Sequence, residues 1–245
     1  VQPTLMRRNF PLSSQRAEVP YSIMPFGGGQ ETPLAGSGIP VGAFWIDSVT
    51  IARSTRAGAK TSFALIDTRS GVQSETFQTQ DSLVFAVARN GSHWVWIPRP
   101  GDSLMVSDGK VTKAIPRPKN MAQMIWLVAD KSADNVLIAG WNQTNDAVRI
   151  AKLNTSTGAA QEWTTVRGEG GGMSMLSNGT LLVAVQETQG NTSLFTLTGP
   201  GTPERLWVSP RPVAWVSTSG DLKRALAGTV DYRADAWLNK VVRPK

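Results

Sequence analysis

The sequence predicts an all-β chain built from a repeated four-stranded unit. Short apolar runs alternate with turn-forming pairs along its length, and no segment holds a 3.6-residue apolar period over ten or more residues. The pairs that would close the first hairpin of each unit are Asp47-Ser48, Asn90-Gly91, Asp134-Asn135, Asn178-Gly179 and Gly220-Asp221. One Asp or Asn from each stands at 47, 90, 134, 178 and 221, in steps of 43, 44, 44 and 43. The polar residue that opens the third strand keeps the same period at Asp102, Asp146, Asn191 and Asp235, with Lys60 in that place one unit earlier. The Gly turn after the third strand, at Gly28, Gly71, Gly109, Gly158 and Gly201, is looser, as surface turns allow.

Taken in order, the chain begins with three strands before the first full unit: Leu5 to Phe10, Tyr21 to Met24 and Glu31 to Ala35, the last two joined by Pro25-Phe26-Gly27-Gly28-Gly29. Each unit then has strands a to d. Strand a is expected at Val41–Ile46, Leu83–Ala88, Met124–Ala129, Met173–Leu176 and Val213–Ser217. Strand b, after the Asp or Asn turn, covers Val49–Arg53, His93–Ile97, Val136–Trp141, Leu181–Gln186 and Leu222–Ala227. Strand c covers Ser62–Asp67, Leu104–Ser107, Val148–Leu153, Ser193–Leu197 and Ala236–Val242, and strand d Ser74–Gln78, Thr112–Ile115, Gln161–Val166 and Glu204–Val208. Strands a and b are nearly continuous apolar runs whereas c and d alternate, the gradient of a sheet whose first two strands are buried on both faces. Four-stranded units of 40 to 45 residues are β-propeller blades, set radially so that only short edges remain. If the N-terminal strands complete or adjoin the last blade, the ring has six blades, with five or a truncated seven as alternatives.

Composition excludes several chemistries. With no cysteine, disulfides, thiolate metal sites and cysteine nucleophiles are absent. The one histidine, His93, sits on the strand His-Trp-Val-Trp-Ile beside a turn and reads as structural, which removes a His-rich metal site and a Ser-His-Asp triad. Gly-x-Ser-x-Gly is missing. Gly27 to Gly29 and Gly170 to Gly172 lie between strands without a following Lys-Ser, Lys-Thr or helix, so they read as turns and not as phosphate loops. Asn142 to Asp146 and Asp231 to Asp235 carry oxygens that a hard cation could use; loop hydrogen bonds at the opening of strand c are the favoured reading. No cofactor and no metal are expected. No apolar run approaches the roughly 18 residues of a membrane span. The net charge of +7 comes from scattered Lys and Arg and reads as a solvated basic surface. The chain starts at Val1 without a start Met or a signal-like segment, and reads as a processed form or a module of a longer protein.

The strand opening Asp-Ala-Trp-Leu at 235 to 238, and the pattern of polar loop, Asp or Asn, apolar strand and Thr-Gly turn seen around Asn154-Thr-Ser-Thr-Gly158, resemble the TolB-type, WD-repeat-like propellers of bacteria over roughly residues 20 to 245. The Ser-Pro-Asp-Gly turn of that family is replaced by Leu-Ser-Asn-Gly and Ser-Thr-Ser-Gly-Asp. The resemblance implies a periplasmic or extracytoplasmic setting, with the cytoplasm as the alternative.

In a propeller, the b-to-c and d-to-a loops of every blade share one rim. The candidates there are Arg56, Lys60, Arg99, Asn142, Glu187, Tyr232 and Arg233 from b-to-c loops, and Lys119, Arg167, Glu169 and Arg211 from d-to-a loops, with Trp96 and Trp141 near the same rim. Tyr, Trp and Arg are the types that most often anchor interfaces. No regular alternation of Arg with aromatics argues for nucleic acid. The expected function is a noncatalytic module that recognises a protein, peptide or small ligand through the rim. The alternative is the accessory sensor or gating propeller of a larger enzyme, a receptor serine/threonine kinase or a prolyl-oligopeptidase-like peptidase.

Overall fold

The computed structural model describes residues 39–209, apart from 48, 82, 133, 177 and 188–190, together with five strands outside that range. Three of these, β1 (Thr4–Arg7), β2 (Tyr21–Met24) and β3 (Thr32–Pro33), form one antiparallel sheet. Four blades follow. The first is β4 (Ile39–Trp45), β5 (Thr50–Ala57), β6 (Lys60–Asp67) and β7 (Gln73–Thr79). The second is β8 (Val84–Asn90), β9 (His93–Pro98), β10 (Ser103–Ser107) and β11 (Thr112–Pro116). The third is β12 (Gln123–Ala129), β13 (Asn135–Trp141), β14 (Ala147–Asn154) and β15 (Ala160–Arg167). The fourth is β16 (Glu169–Met175), β17 (Leu181–Gln186), β18 (Thr192–Leu197) and β19 (Glu204–Ser209), and β20 (Val213–Thr218) and β21 (Ala225–Thr229) form a final antiparallel pair. The expected strand over 236–242 lies outside the described residues. Among the described residues no helix is long and apolar enough to cross a membrane.

Each blade is an antiparallel meander, and the inner strands β8, β12, β16 and β20 adjoin one after another. The turns are closed by the residues that set the period. Asp47 Oδ1 accepts the backbone N–H groups of Val49 and Thr50, Asn178 Oδ1 accepts that of Thr180, and Gly91 and Gly179 carry φ of 57° and 86°. Positive φ there suits glycine, which lacks the Cβ that makes this region strained.

The core is a series of seams between blades. Along β9 the side chains alternate: Trp94 and Trp96 pack toward the first blade with Phe63 and Leu65, while Val95 and Ile97 pack toward the third with Val136 and Ile138. Along β13, Leu137 and Ala139 turn the other way, into the seam with the fourth blade. A b strand therefore buries both faces, and its continuous apolar run is the consequence. Strand a departs from the expectation. β8 and β12 are only partly buried, because innermost strands present one side to the axis of the ring.

Several boundaries differ from the sequence reading. β5 runs on to Ala57, so Arg56 belongs to a strand and not to a loop. β16 starts at Glu169, because Gly170 to Gly172 continues the pairing with Val185 and Ala184 through a bulge. The glycines serve packing: a Cβ on Gly170 would stand 1.9 Å from the ring of Trp126 on the neighbouring inner strand. β1 is described over Thr4–Arg7 and β21 over Ala225–Thr229; residues 8–10 and 222–224 of the expected strands lie outside the described residues.

The irregular spacing of the third-strand Gly turn also has a physical cause. Asp67 and Asn154 each accept two backbone N–H groups of the next residues, from Arg69 and Ser70 and from Ser156 and Thr157, and a Gly four residues on donates back to the same residue's carbonyl. In the second blade Asp108 accepts from Lys110 and Val111, but its Gly is the very next residue. The turn chemistry is shared and the Gly position is not.

These turn carboxylates titrate low. The Arg69 guanidinium and the neighbouring N–H groups hold Asp67 far below the usual carboxylate range, and the Val111 and Lys110 N–H groups lower Asp108. A depressed folded-state value means that the stabilisation is complete above the ordinary carboxylate pKa and is lost as pH falls through the folded value. The urea midpoint should therefore fall between about pH 5 and about pH 2.5, and Asp67→Asn should flatten that fall. An identical acid dependence in the variant would exclude Asp67 as a contributor.

Candidate functional site

The rim of b-to-c and d-to-a loops is assembled by backbone hydrogen bonds in the second to fourth blades. Within the second blade, Arg99 N–H donates to Leu83 O at 3.0 Å and Arg117 N–H to Asp102 O at 3.0 Å. The next link crosses the seam, where Met124 N–H donates to Gly101 O at 3.0 Å and the Gln123 side-chain amide donates to Pro100 O. Within the third blade, Ala122 N–H reaches Trp141 O at 2.7 Å and Gly168 N–H reaches Asp146 O at 2.8 Å. Gly168 in turn lies so close to Gln186 that a Cβ would stand 2.4 Å from its carbonyl oxygen. The loops around Arg99, Lys119, Asn142, Arg167 and Glu187 thus form one continuous shelf.

Each loop is stiffened by its own side chains. Asn142 Oδ1 accepts the N–H groups of Asp146 and Ala147, while its amide donates to Asp146 Oδ1 at 2.6 Å and to Thr144 Oγ1 at 2.9 Å. The Thr144 hydroxyl also donates to Asp146, and these two donors hold the Asp146 carboxyl below its ordinary range. Arg117 donates to Met121 O and to Asp102 Oδ1, which fixes the d-to-a loop of the second blade from within. Glu187 accepts from Arg205 and from Ser193 Oγ, each at 2.6 Å, and Asn191 O accepts its N–H.

The candidates therefore separate into two kinds. Asn142 and Glu187 are engaged in these contacts, and Arg56 donates to Gly58 O within its own hairpin, where Lys60 is paired with Ala57. Arg99, Lys119 and Arg167 are exposed and make no ion pair among the described residues; Arg99 lies 5.8 Å over the Phe85 ring. Glu169 is exposed at the start of β16. Tyr232, Arg233 and Arg211 lie outside the described residues. Trp96 does not belong to the rim surface: it is buried in the first seam, with its indole N–H on Asp81 Oδ2 at 2.7 Å. Trp141 ends β13 half-buried, and its indole N–H has no acceptor. Sequence reasoning missed Arg117, whose role rests on contacts within its loop that have no spacing signature.

No family model and no curated protein matches the chain. Solved structures do. TolB from Acinetobacter baumannii superposes with a TM-score of 0.66 at 13% identity, over 89% of this chain and 56% of that one. The fold is that of the TolB-like and WD40-like β-propellers. The WD40 β-propeller domain of Doa1 gives a TM-score of 0.61 at 9% identity over 86% of this chain and 68% of that one. A chain of a nidogen/laminin complex gives 0.63 at 13% identity, covering 86% and 82%. At these identities the likeness is one of propeller fold, carried by radial four-stranded blades and not by shared site residues.

Proposed function

We propose that the chain is a noncatalytic propeller module that holds a peptide or protein segment on the rim of b-to-c and d-to-a loops. The observation that carries this reading is the shelf itself. Main-chain hydrogen bonds fasten the loops within the second and third blades and join those two blades, Gly168 packs against Gln186 of the fourth, and on this shelf Arg99, Lys119 and Arg167 are exposed without an ion pair among the described residues. A pre-organised surface spends little binding energy on ordering its own loops, and unpaired cations on it favour acidic partners. The nidogen/laminin complex, in which a chain of similar fold occurs, supports a role in protein assembly. A six-bladed ring, closed by β1 to β3 beside β20 and β21, belongs to the same reading.

The test is selection of peptides from a random display library on the immobilised chain. Enriched peptides should lose about tenfold in affinity on an Arg99→Glu/Arg167→Glu variant of unchanged melting temperature. Arg69→Glu on the opposite face should leave them unaffected. Peptides that ignore the rim charges would place recognition elsewhere.

A further inference from the structure

In the first three blades the outer strand is closed by the blade that follows, and the third strand of that next blade takes part each time. Phe77 on β7 packs in one cluster with Met105 of β10. Ile115 on β11 packs with Ala151 and Leu153 of β14, and Trp163 and Val166 on β15 pack with Phe195 and Leu197 of β18. Where these outer strands meet solvent they carry side chains such as Gln73 and Gln78 on β7, Lys113 on β11, and Gln161 and Thr165 on β15. Polar and charged residues of this kind keep a sheet edge from pairing with other chains.

The outer strand of the fourth blade, β19, departs from this pattern. Leu206 is 55% exposed, Trp207 45% and Val208 40%, three large apolar side chains in succession. The pairing shows which face holds the indole. Ala184, Leu194 and Trp207 stand in one cross-strand row, and Val183, Phe195 and Arg205 in the next. Successive rows point to opposite faces of a sheet, and Val183 and Phe195 lie in the seam with the third blade. Trp207 therefore lies on the other face, the side left for β20, which packs against β16 and β17. On that face Ala184 is 0% and Leu194 2% exposed, so the seam is closed over the second and third strands of the blade and open over the fourth.

The first two strands of the fifth blade are β20 and β21, and residues 230–245 lie outside the described residues. The loops joining β9 to β10, β13 to β14 and β17 to β18 hold four, five and five residues. A loop of that size after Thr229 leads into Asp235-Ala-Trp-Leu, the start of the expected third strand. Its apolar residues fall on both alternating sets, Ala236, Leu238 and Val242 on one and Trp237 and Val241 on the other, so either register offers an apolar row.

We infer that the segment 235–242 of this same chain docks as a strand over Trp207 and closes the fourth seam. Left bare, an apolar edge of this kind invites association with other chains, and the chain carries a strand that fits it. Docked there, the segment makes residues 230–234 the fifth b-to-c loop and brings Tyr232 and Arg233 to the rim.

The chain has no cysteine, so paired substitutions report proximity without interference. The full chain carrying Trp207→Cys is combined in turn with Ala236→Cys, Trp237→Cys, Leu238→Cys, Asn239→Cys and Lys240→Cys, and treated with oxidised glutathione at low protein concentration. A disulfide needs Cα atoms within about 7 Å and Cβ atoms turned toward each other, so intramolecular disulfides should form at alternate positions of the series. Even yields along the series, or none, would overturn the inference, and disulfide-linked dimers in their place would overturn it in favour of a second copy. Because Trp207→Cys removes the side chain to be covered, a second measurement keeps it. In the chain labelled with 5-fluorotryptophan, the Trp207 fluorine resonance is assigned by its loss in Trp207→Phe. It should lose most of the H2O-to-D2O shift of free 5-fluorotryptophan. Trp237→Asp/Leu238→Asp, which sets a carboxylate on each face of the segment, should restore that shift. A full shift in the unsubstituted chain, or one that the double substitution leaves unchanged, would overturn the inference.

Discussion

Trp94→Ala is expected to destabilise the chain by about 4 kcal/mol, a large share of the 5 to 15 kcal/mol of a typical domain. Trp94 is 2% exposed and closes a three-ring cluster with Phe63 and Phe77, at centroid distances of 5.8 and 5.4 Å from them while they lie 6.3 Å from each other. Its indole N–H donates to Glu75 Oε1 at 2.9 Å, and the Arg89 guanidinium, paired with Glu75 at 3.0 Å, lies over its ring. Truncation removes contacts from both sides of the first seam at once, and the flanking strands are too well paired to collapse into the space. Trp94→Phe keeps a ring in the stack and loses the N–H contact, so it should cost about 2 kcal/mol. Urea unfolding of the three proteins checks both values. Equal stability of the Ala and Phe variants would mean that the stack contributes nothing beyond the Glu75 contact.

The blade pattern was legible in the sequence because it depends on local backbone demands. Asp47, Asn178, Gly91 and Gly179 are fixed by hydrogen bonds and φ angles within their own turns, so each leaves a mark at its own position and the marks recur every 43 or 44 residues. The double burial of the b strands was legible for the same kind of reason, since an alternating strand with two apolar faces must read as an unbroken run. What was hidden depends on neighbours far along the chain. Gly170 is a glycine because Trp126 lies against it, and Thr68 and Thr155 end their c strands because each returns a hydrogen bond to the a-to-b turn of its own blade, at Val49 O and Asp134 O. No local spacing announces such contacts.

The rim was legible only in outline. Propeller geometry puts the b-to-c and d-to-a loops side by side, as their backbone hydrogen bonds do, and Asn142 could be read as a loop-closing residue because Asn and Asp side chains mimic backbone turns. The division of the candidates into engaged and exposed side chains could not be read, because it depends on distances such as that from Glu187 to Arg205. The thinner filling of the second seam at Ile138 and Gly140 was missed because it consists of small residues where a repeat elsewhere has large ones. Aligning Trp94-x-Trp96 with Ile138-x-Gly140 would have revealed it, since a missing indole in a packed seam must be compensated or leave space.

Gly140→Ala is expected to cost about 3 kcal/mol or more, although it adds only one methyl group. A Cβ at Gly140 would stand 2.0 Å from Gln123 O and 3.0 Å from Met124 Cα, so backbone must move to admit it. The start of β12 has little freedom to retreat. Ala122 N–H is bonded to Trp141 O on one side of that stretch, and Met124 N–H to Gly101 O on the other. Gly101 is itself held at φ 93°, where a Cβ would meet Met124 O at 2.4 Å. Gly199→Ala is the control: nothing lies within 4 Å of its Cβ position, and its change should stay within about 0.5 kcal/mol. Denaturant midpoints compare the two directly, and equal midpoints would show that β12 can shift freely.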